Sequence, residues 1–176
     1  MPLPVIVFVA PVAEDSRARA LQCLGRYAAR HGLKAPESLE EGPSGKPQTD
    51  TGLHLSVSHS GALWACAVHI APLGLDIQQR RDGHNARGIA GRWFLPTEQD
   101  FLAAHPGRFF DLWCAKEAWV KYTGFGLARG FKTFSCVAEG EIVMRLAGAQ
   151  LTWLDLEAGY TACLWHENGA AISVEK

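Results

Sequence analysis

The chain has 176 residues, 48% of them hydrophobic, with 17 Lys and Arg against 18 Asp and Glu. That length supports one large core or two small lobes, and the near-neutral balance excludes the general basic field that drives non-specific nucleic-acid binding. An anionic ligand has to be met by a local cluster. The first apolar run, Leu3 to Val12, is broken by Pro4 and Pro11 and falls short of the ~20 residues that span a bilayer. Without a basic n-region it reads as a strand and not as a signal peptide or membrane anchor. Cys23, Cys66, Cys114, Cys136 and Cys163 are scattered, with no Cys-x-x-Cys pair. They point to a reduced, cytoplasmic chain with small buried thiols, not to a disulfide or zinc framework.

Val5 to Val9 reads as the first strand. Asp15 or Ser16 then caps a helix running to about His31, with Gly32 as its stop signal. On a 100° wheel Leu21, Leu24 and Ala28 share a face with Arg17, whereas Arg19, Arg26 and Arg30 form a solvated face. Residues 34–52, rich in Pro and Gly, read as a long loop carrying Lys46. Leu53, Leu55 and Val57 alternate with polar residues as in a half-buried strand. Ser58 to Gly61 reads as a turn, Leu63 to Ile70 as the return strand, and Leu75 to Gln78 as a strand with Asp76 and Gln78 on one face.

The second half opens with a short helix, Asn85 to Phe94, and a segment capped by Thr97 that runs through Ala104. The clearest helix spans about Arg108 to Tyr122 and ends at Gly124. Alternating stretches near Phe134–Val137, Ile142–Leu146, Leu151–Leu156, Tyr160–Trp165 and Ala170–Val174 read as antiparallel strands. Each half thus carries a helical stretch followed by strands, with a hinge near Ala71 to Gly74.

On the long helix Glu117 and Lys121 fall on the face of Phe110 and Cys114. An i, i+4 pair of this kind is commonly exposed and worth only a few tenths of a kcal/mol. Here the bulky and apolar neighbours turn the face inward, where charges are costly unless paired or functional. Asp76 and Gln78 offer two oxygen donors on one strand face, and a helix carboxylate would complete a site for a hard cation such as Mg²⁺. Ser58 and His59 offer a hydroxyl, an imidazole and amides to an anion, and Lys46 a point charge between Gly45 and Pro47.

In this order, Gly45-Lys46-Pro47, Val57-Ser58-His59-Ser60-Gly61, Gly74-Leu75-Asp76-Ile77, the W-x-x-K-E-x-x-x-K segment from Trp113 to Lys121, and Gly124-Phe125-Gly126-Leu127 resemble the 4'-phosphopantetheinyl transferases of the surfactin-synthetase-activating type. The resemblance implies an α+β fold of two similar lobes about a pseudo-twofold axis, 1–71 and 72–176, with coenzyme A in the cleft between them. It implies transfer of the phosphopantetheine arm to a serine of an apo acyl or peptidyl carrier protein, with release of 3',5'-ADP. The cofactor would be Mg²⁺, with Mn²⁺ able to replace it, in a monomer that needs neither nucleic acid nor membrane. Such an enzyme serves fatty-acid, polyketide or nonribosomal peptide synthesis.

By the same resemblance Asp76 and Glu117 hold the metal, with the Gln78 amide as a further oxygen donor, Glu117 takes the serine proton directly or through a water, and Lys121 neutralises charge on the leaving side. Lys46, Ser58 and His59 bind the nucleotide end of coenzyme A, with His59 at its 3'-phosphate, Asp76 and Lys121 complete the coenzyme A contacts, and Arg17, on the inward side of the first helix, is the candidate for a further phosphate contact. Two departures stand out: Gln78 occupies a position where many relatives have Glu, and the first half is short. The rival readings are a non-catalytic homologue that binds coenzyme A or a carrier protein, and a serine hydrolase built on Ser58 or Ser60, His59 and Asp76. The hydrolase lacks a G-x-S-x-G elbow.

Overall fold

A computed structural model describes residues 2–42, 45–83, 85–126 and 130–176. Its order is β1 (Val5–Pro11), α1 (Ser16–His31), β2 (Glu40–Glu41), β3 (Pro47–Gln48), β4 (His54–Ser60), β5 (Leu63–His69) and β6 (Gly74–Gln79). There follow α2 (Ala86–Trp93), α3 (Pro96–Ala104), α4 (Phe109–Thr123), β7 (Val137–Ala138), β8 (Glu141–Ile142), β9 (Arg145–Leu146), β10 (Ala149–Trp153), β11 (Tyr160–Glu167) and β12 (Ile172–Glu175). The class is α+β. The described residues form two four-stranded sheets, β12-β1-β5-β4 and β6-β11-β10-β9, and two small hairpins, β2-β3 and β7-β8.

Period-two patterning explains how the layers stack. Val5, Val7 and Val9 of β1, Leu63, Ala65 and Ala67 of β5, Leu75 and Ile77 of β6, and Ala162 and Leu164 of β11 meet in one cluster between the sheets. The alternate residues Ile6, Phe8, Trp64, Cys66 and Val68 face Ala20, Cys23, Leu24, Tyr27 and Ala28 of α1. Cys163 and Trp165 face outward on the second sheet, toward Cys114, Ala115, Ala118 and Trp119 of α4. Gly74 permits the closest approach, because a Cβ there would lie 2.0 Å from the Ala118 carbonyl oxygen and 2.3 Å from the Tyr122 nitrogen.

Strand β6 is the edge of its sheet, and the N–H groups of Leu75, Ile77 and Gln79 point away from β11. They donate to the hydroxyls of Ser56 (2.9 Å), Ser58 (3.1 Å) and Ser60 (2.9 Å) on β4, the edge of the other sheet. The Ser-x-Ser-x-Ser alternation of β4 therefore replaces a backbone ladder and joins the sheets at a seam. This is why Ser58 to Ser60 belong to a strand and the chain turns only at Gly61 (φ 55°) and Ala62, not from Ser58 as the sequence suggests.

Several other elements differ from expectation through contacts distant in sequence. The final strand, read as antiparallel, lies parallel to β1 with Val5 opposite Ile172, drawn there by Ala170 and Ile172 entering the inter-sheet cluster. Its Glu175 accepts from Arg26 and Arg30, and Arg19 lies over Trp64 while donating to the Pro11 carbonyl, so these arginines are not simply solvated. Arg17 is exposed in the first turn of α1, not turned inward. The loop of residues 34–52 carries the β2-β3 hairpin. Leu95, and not Thr97, caps α3, since Pro96 occupies the first helical position and the Glu98 carboxylate accepts the Leu95 N–H at 3.0 Å. Of the two candidates Asp15 and Ser16 it is Asp15 that caps α1, Gly32 and Gly124 end their helices as expected, and Asn85, expected to begin α2, is its N-cap. All five cysteines are free and buried, and among the described residues no helix is long and apolar enough to cross a membrane. Leu127, the end of the Gly-x-Gly-Leu segment, lies outside the described residues.

Lys116 on α4 has no exposed side-chain surface and neither does its partner Glu98, 2.8 Å away. Lys116 also donates to the Phe134 carbonyl and lies 4.3 Å from the Phe134 ring centroid, while Glu98 also accepts the Cys136 N–H. Removing one member leaves a buried charge unpaired, at about 3–5 kcal/mol. Lys116→Met is expected to lower Tm by roughly 6–20 °C at the 2–4 °C per kcal/mol typical of this size. Lys116→Met/Glu98→Gln is expected to recover part of that loss in thermal melts.

Candidate active site

The site forms where β6 and α4 face each other at the seam. Alternation on β6 sends Leu75 and Ile77 into the inter-sheet cluster and Asp76 and Gln78 toward α4. Asp76 is 1% exposed, a cost that only dense hydrogen bonding offsets. Its Oδ1 accepts from the Ser58 hydroxyl at 2.9 Å and from Lys121 Nζ at 2.7 Å, and its Oδ2 accepts from Gln78 Nε2 at 2.8 Å. Cys114 Sγ, one helical turn before Glu117, donates to the Asp76 carbonyl at 3.3 Å. Burial pushes that thiol well above its ordinary range, so it acts as a packed weak donor and not as a nucleophile.

The face of α4 expected to look inward does so. Burial pushes the Glu117 carboxyl up to about 7, and the neighbouring Asp76 carboxylate adds to the shift, while Lys121 and the Trp113 indole oppose it. Burial pulls the Lys121 ammonium down, but Asp76 and Glu117 outweigh that and its proton is held more tightly than usual. Lys46 lies beneath the C-terminus of α4, donating to the carbonyls of Lys121 (2.6 Å) and Leu73 (3.1 Å). Burial lowers its pKa to about 8, and two of its three N–H groups are engaged. His59 is exposed, and Ser58 is buried with its hydroxyl between Asp76 and the Ile77 amide.

The cluster therefore brings together Asp76, Gln78, Glu117, Lys121 and Ser58, with Lys46 joined to it through the α4 terminus. Arg17 belongs to none of these contacts. Sequence reasoning did not assign Ser58 to Asp76, nor Lys116 and Glu98 to the support of α4; the Ser-x-Ser-x-Ser spacing beside an edge strand is the signal for the first. Along the same β6 face, Arg80 Nε donates to Thr161 Oγ1 at 2.7 Å, and Arg80 and Arg108 both pair with Asp111. A cavity of about 420 Å³ opens beside these groups, lined by Gln78, Arg81, Asp82, Ile89, Phe110 and Trp113.

As a site for a hard cation the donor set is two carboxylates and one neutral amide oxygen. Among the described residues no three His, Cys, Asp or Glu side chains converge. The set fits Mg²⁺ in chemistry, since the cation prefers oxygen ligands and keeps several waters. Burial is the larger cause of the raised Glu117 pKa and repulsion from Asp76 adds to it, so a divalent charge between the two carboxylates would relieve that second contribution.

The family model of the 4'-phosphopantetheinyl transferase superfamily matches residues 72–174, which include all of β6 and α4. The chain belongs to this superfamily. A 4'-phosphopantetheinyl transferase of Bacillus subtilis is 40% identical over 88 residues, covering 47% of this chain and 38% of the relative. One of Bacillus pumilus is 35% identical over 112 residues (58% and 47%), and one of Nostoc is 36% identical over 86 (46% and 36%). The chain thus spans less than half the length of the transferases it matches. Within residues 72–174 the W-x-x-K-E-x-x-x-K segment from Trp113 to Lys121 lies on the helix that brings Glu117 and Lys121 to Asp76.

A carboxyl whose folded pKa lies above its ordinary 4.5 binds more protons folded than unfolded, so its contribution to stability falls as pH rises from about 4.5 to about 7. Glu117→Gln removes this penalty. The variant's Tm is expected to exceed that of the wild type at pH 8 by several degrees more than at pH 5, at about 2–4 °C per kcal/mol. Equal differences at the two pH values would mean that Glu117 titrates normally.

Proposed function

We propose that the chain transfers the 4'-phosphopantetheine arm of coenzyme A to a serine of an apo carrier protein, releasing 3',5'-ADP. The observation that carries this reading is the meeting of Asp76, Glu117 and Lys121 at one seam, in a chain of this superfamily. The serine oxygen attacks the phosphorus that bears the pantetheine arm, and its proton passes to Glu117, whose pKa of about 7 suits a general base at neutral pH. Lys121, kept protonated by the two carboxylates, neutralises the charge growing on the departing nucleotide. The third N–H of Lys46 and the exposed imidazole of His59 are the proposed contacts for the nucleotide phosphates, with Arg17 further out. The cavity beside Gln78 and Trp113 suits the pantetheine arm.

Mg²⁺ held by Asp76, Glu117 and the amide oxygen of Gln78 would supply charge neutralisation of the pyrophosphate. Since Gln78 Nε2 is given to Asp76, its Oε1 remains for this purpose. Two similar lobes about a pseudo-twofold axis form part of the same proposal, supported by the outward placement of one long helix on each four-stranded sheet. In this arrangement coenzyme A lies along the seam of β4 and β6.

Incubation with coenzyme A, Mg²⁺ and a panel of apo carrier proteins is expected to release 3',5'-ADP in proportion to holo-carrier formed. Glu117→Gln is expected to lower kcat by about 10²–10⁴, the usual contribution of a positioned base, while coenzyme A still binds. No turnover on any carrier would favour the non-catalytic alternative. Gln78→Glu, which adds a carboxylate, is expected to reduce the Mg²⁺ concentration giving half-maximal rate; an unchanged titration would place Gln78 away from the metal.

A further inference from the structure

We infer that the Ser58 hydroxyl positions Asp76, a role different from the coenzyme A contact that the family resemblance implies for this serine. Ser56, Ser58 and Ser60 are equivalent rungs of one ladder, each accepting a single β6 N–H at 2.9–3.1 Å. Ser58 is the rung that also bonds a carboxylate. A serine hydroxyl has one proton, and because its oxygen already accepts the Ile77 amide, the proton is given to Asp76 Oδ1, 2.9 Å away. Ile77 follows Asp76 in the chain, so one hydroxyl grips the carboxylate and the next amide of the same strand together. This closes a small ring that fixes the side-chain torsion of Asp76.

The other two groups on Asp76 are less confined. Lys121 reaches it at the end of a long side chain that is 29% exposed, and Gln78 is half-buried at the cavity wall. Ser58 and Asp76 are 5% and 1% exposed, so water does not compete for their bond. The hydroxyl thereby holds Oδ1 toward β4 and leaves Oδ2 on the side of Gln78 and the cavity. Ser58 acts through Asp76 and is a positioning residue for the chemistry, not a catalytic one.

The inference rests on the transferase reading of the same site, and the two neighbouring serines provide matched controls. Ser56→Ala, Ser58→Ala and Ser60→Ala each delete one rung and are expected to lower Tm, Ser58→Ala the most because it also takes a hydrogen bond from the buried Asp76 carboxylate. Ser58→Ala is expected to lower kcat by about tenfold or more, with KM for coenzyme A within about twofold, in the range set by groups that orient metal ligands. In the absence of substrate it is also expected to weaken Mn²⁺ binding, followed by electron paramagnetic resonance, by about tenfold, while the other two variants stay near wild type.

If Ser58→Ala matches its neighbours in kcat and Mn²⁺ affinity, or raises KM for coenzyme A with kcat unchanged, the inference is overturned. Should Ser58→Ala fail to fold, Ser58→Cys, similar in size but a weaker donor, is compared with wild type by the same two measurements: a loss of kcat and Mn²⁺ affinity supports the positioning role, and wild-type values of both overturn it. A wild type that turns over no carrier defeats the transferase reading, and the Mn²⁺ comparison still decides the role of Ser58.

Discussion

Strand β6 has a free edge, and satisfying that edge organises the molecule. Three backbone N–H groups at an interior edge are expensive to leave unpaired. The serines of β4 satisfy them by side chain and not by backbone, which holds the strands in register while letting them belong to different sheets. With β6 fixed in this way, its inner residues close the inter-sheet core and its outer residues face α4. Gly74 then lets the helix backbone approach closely enough for Glu117 and Lys121 to reach the strand. The same contact that closes the fold therefore places Glu117 and Lys121 beside Asp76.

Burial acts in opposite directions on the acid and the base of this seam. It raises Glu117 to about 7 and lowers Lys46 to about 8, so both groups change charge close to neutral pH. Lys121 escapes the same fate because two carboxylates stand beside it. On the proposed reading a phosphate-bearing ligand would meet cations already tied into hydrogen bonds and partly withdrawn from water, an arrangement more effective than the same charges free in solution. The near-neutral total charge of the chain is thus compatible with a strongly polar site, since opposite charges are concentrated and paired within it.

The local features of the fold were legible in the sequence. Asp15, Gly32, Asn85 and Gly124 bound their helices because capping is decided within a few residues, and the period-two pattern of β6 set its two faces correctly. The inward face of α4, with Cys114, Glu117 and Lys121, followed from a wheel. What could not be read depends on partners far along the chain. The parallel placement of β12 depends on β1 and on Arg26 and Arg30, and the extension of β4 through Ser60 depends on β6. Lys116 looked like one more member of a charged motif, and nothing within its helix marks it as the buried partner of Glu98.

The family match begins at residue 72, two residues before β6, yet the site it contains is incomplete without what precedes it. Asp76 is oriented by Ser58, and the carbonyl of Lys121 is held by Lys46, both from the segment before the match. In the other direction β12 returns to pair with β1, and its Glu175 receives two arginines of α1. Each half thus completes an element of the other: the second half supplies the edge of the first sheet, and the first supplies the hydroxyl that bonds Asp76 and the ammonium that holds the α4 backbone at Lys121. Mutual completion of this kind makes independent movement of the halves costly. Any ligand bound at the seam is held by groups whose positions both halves determine.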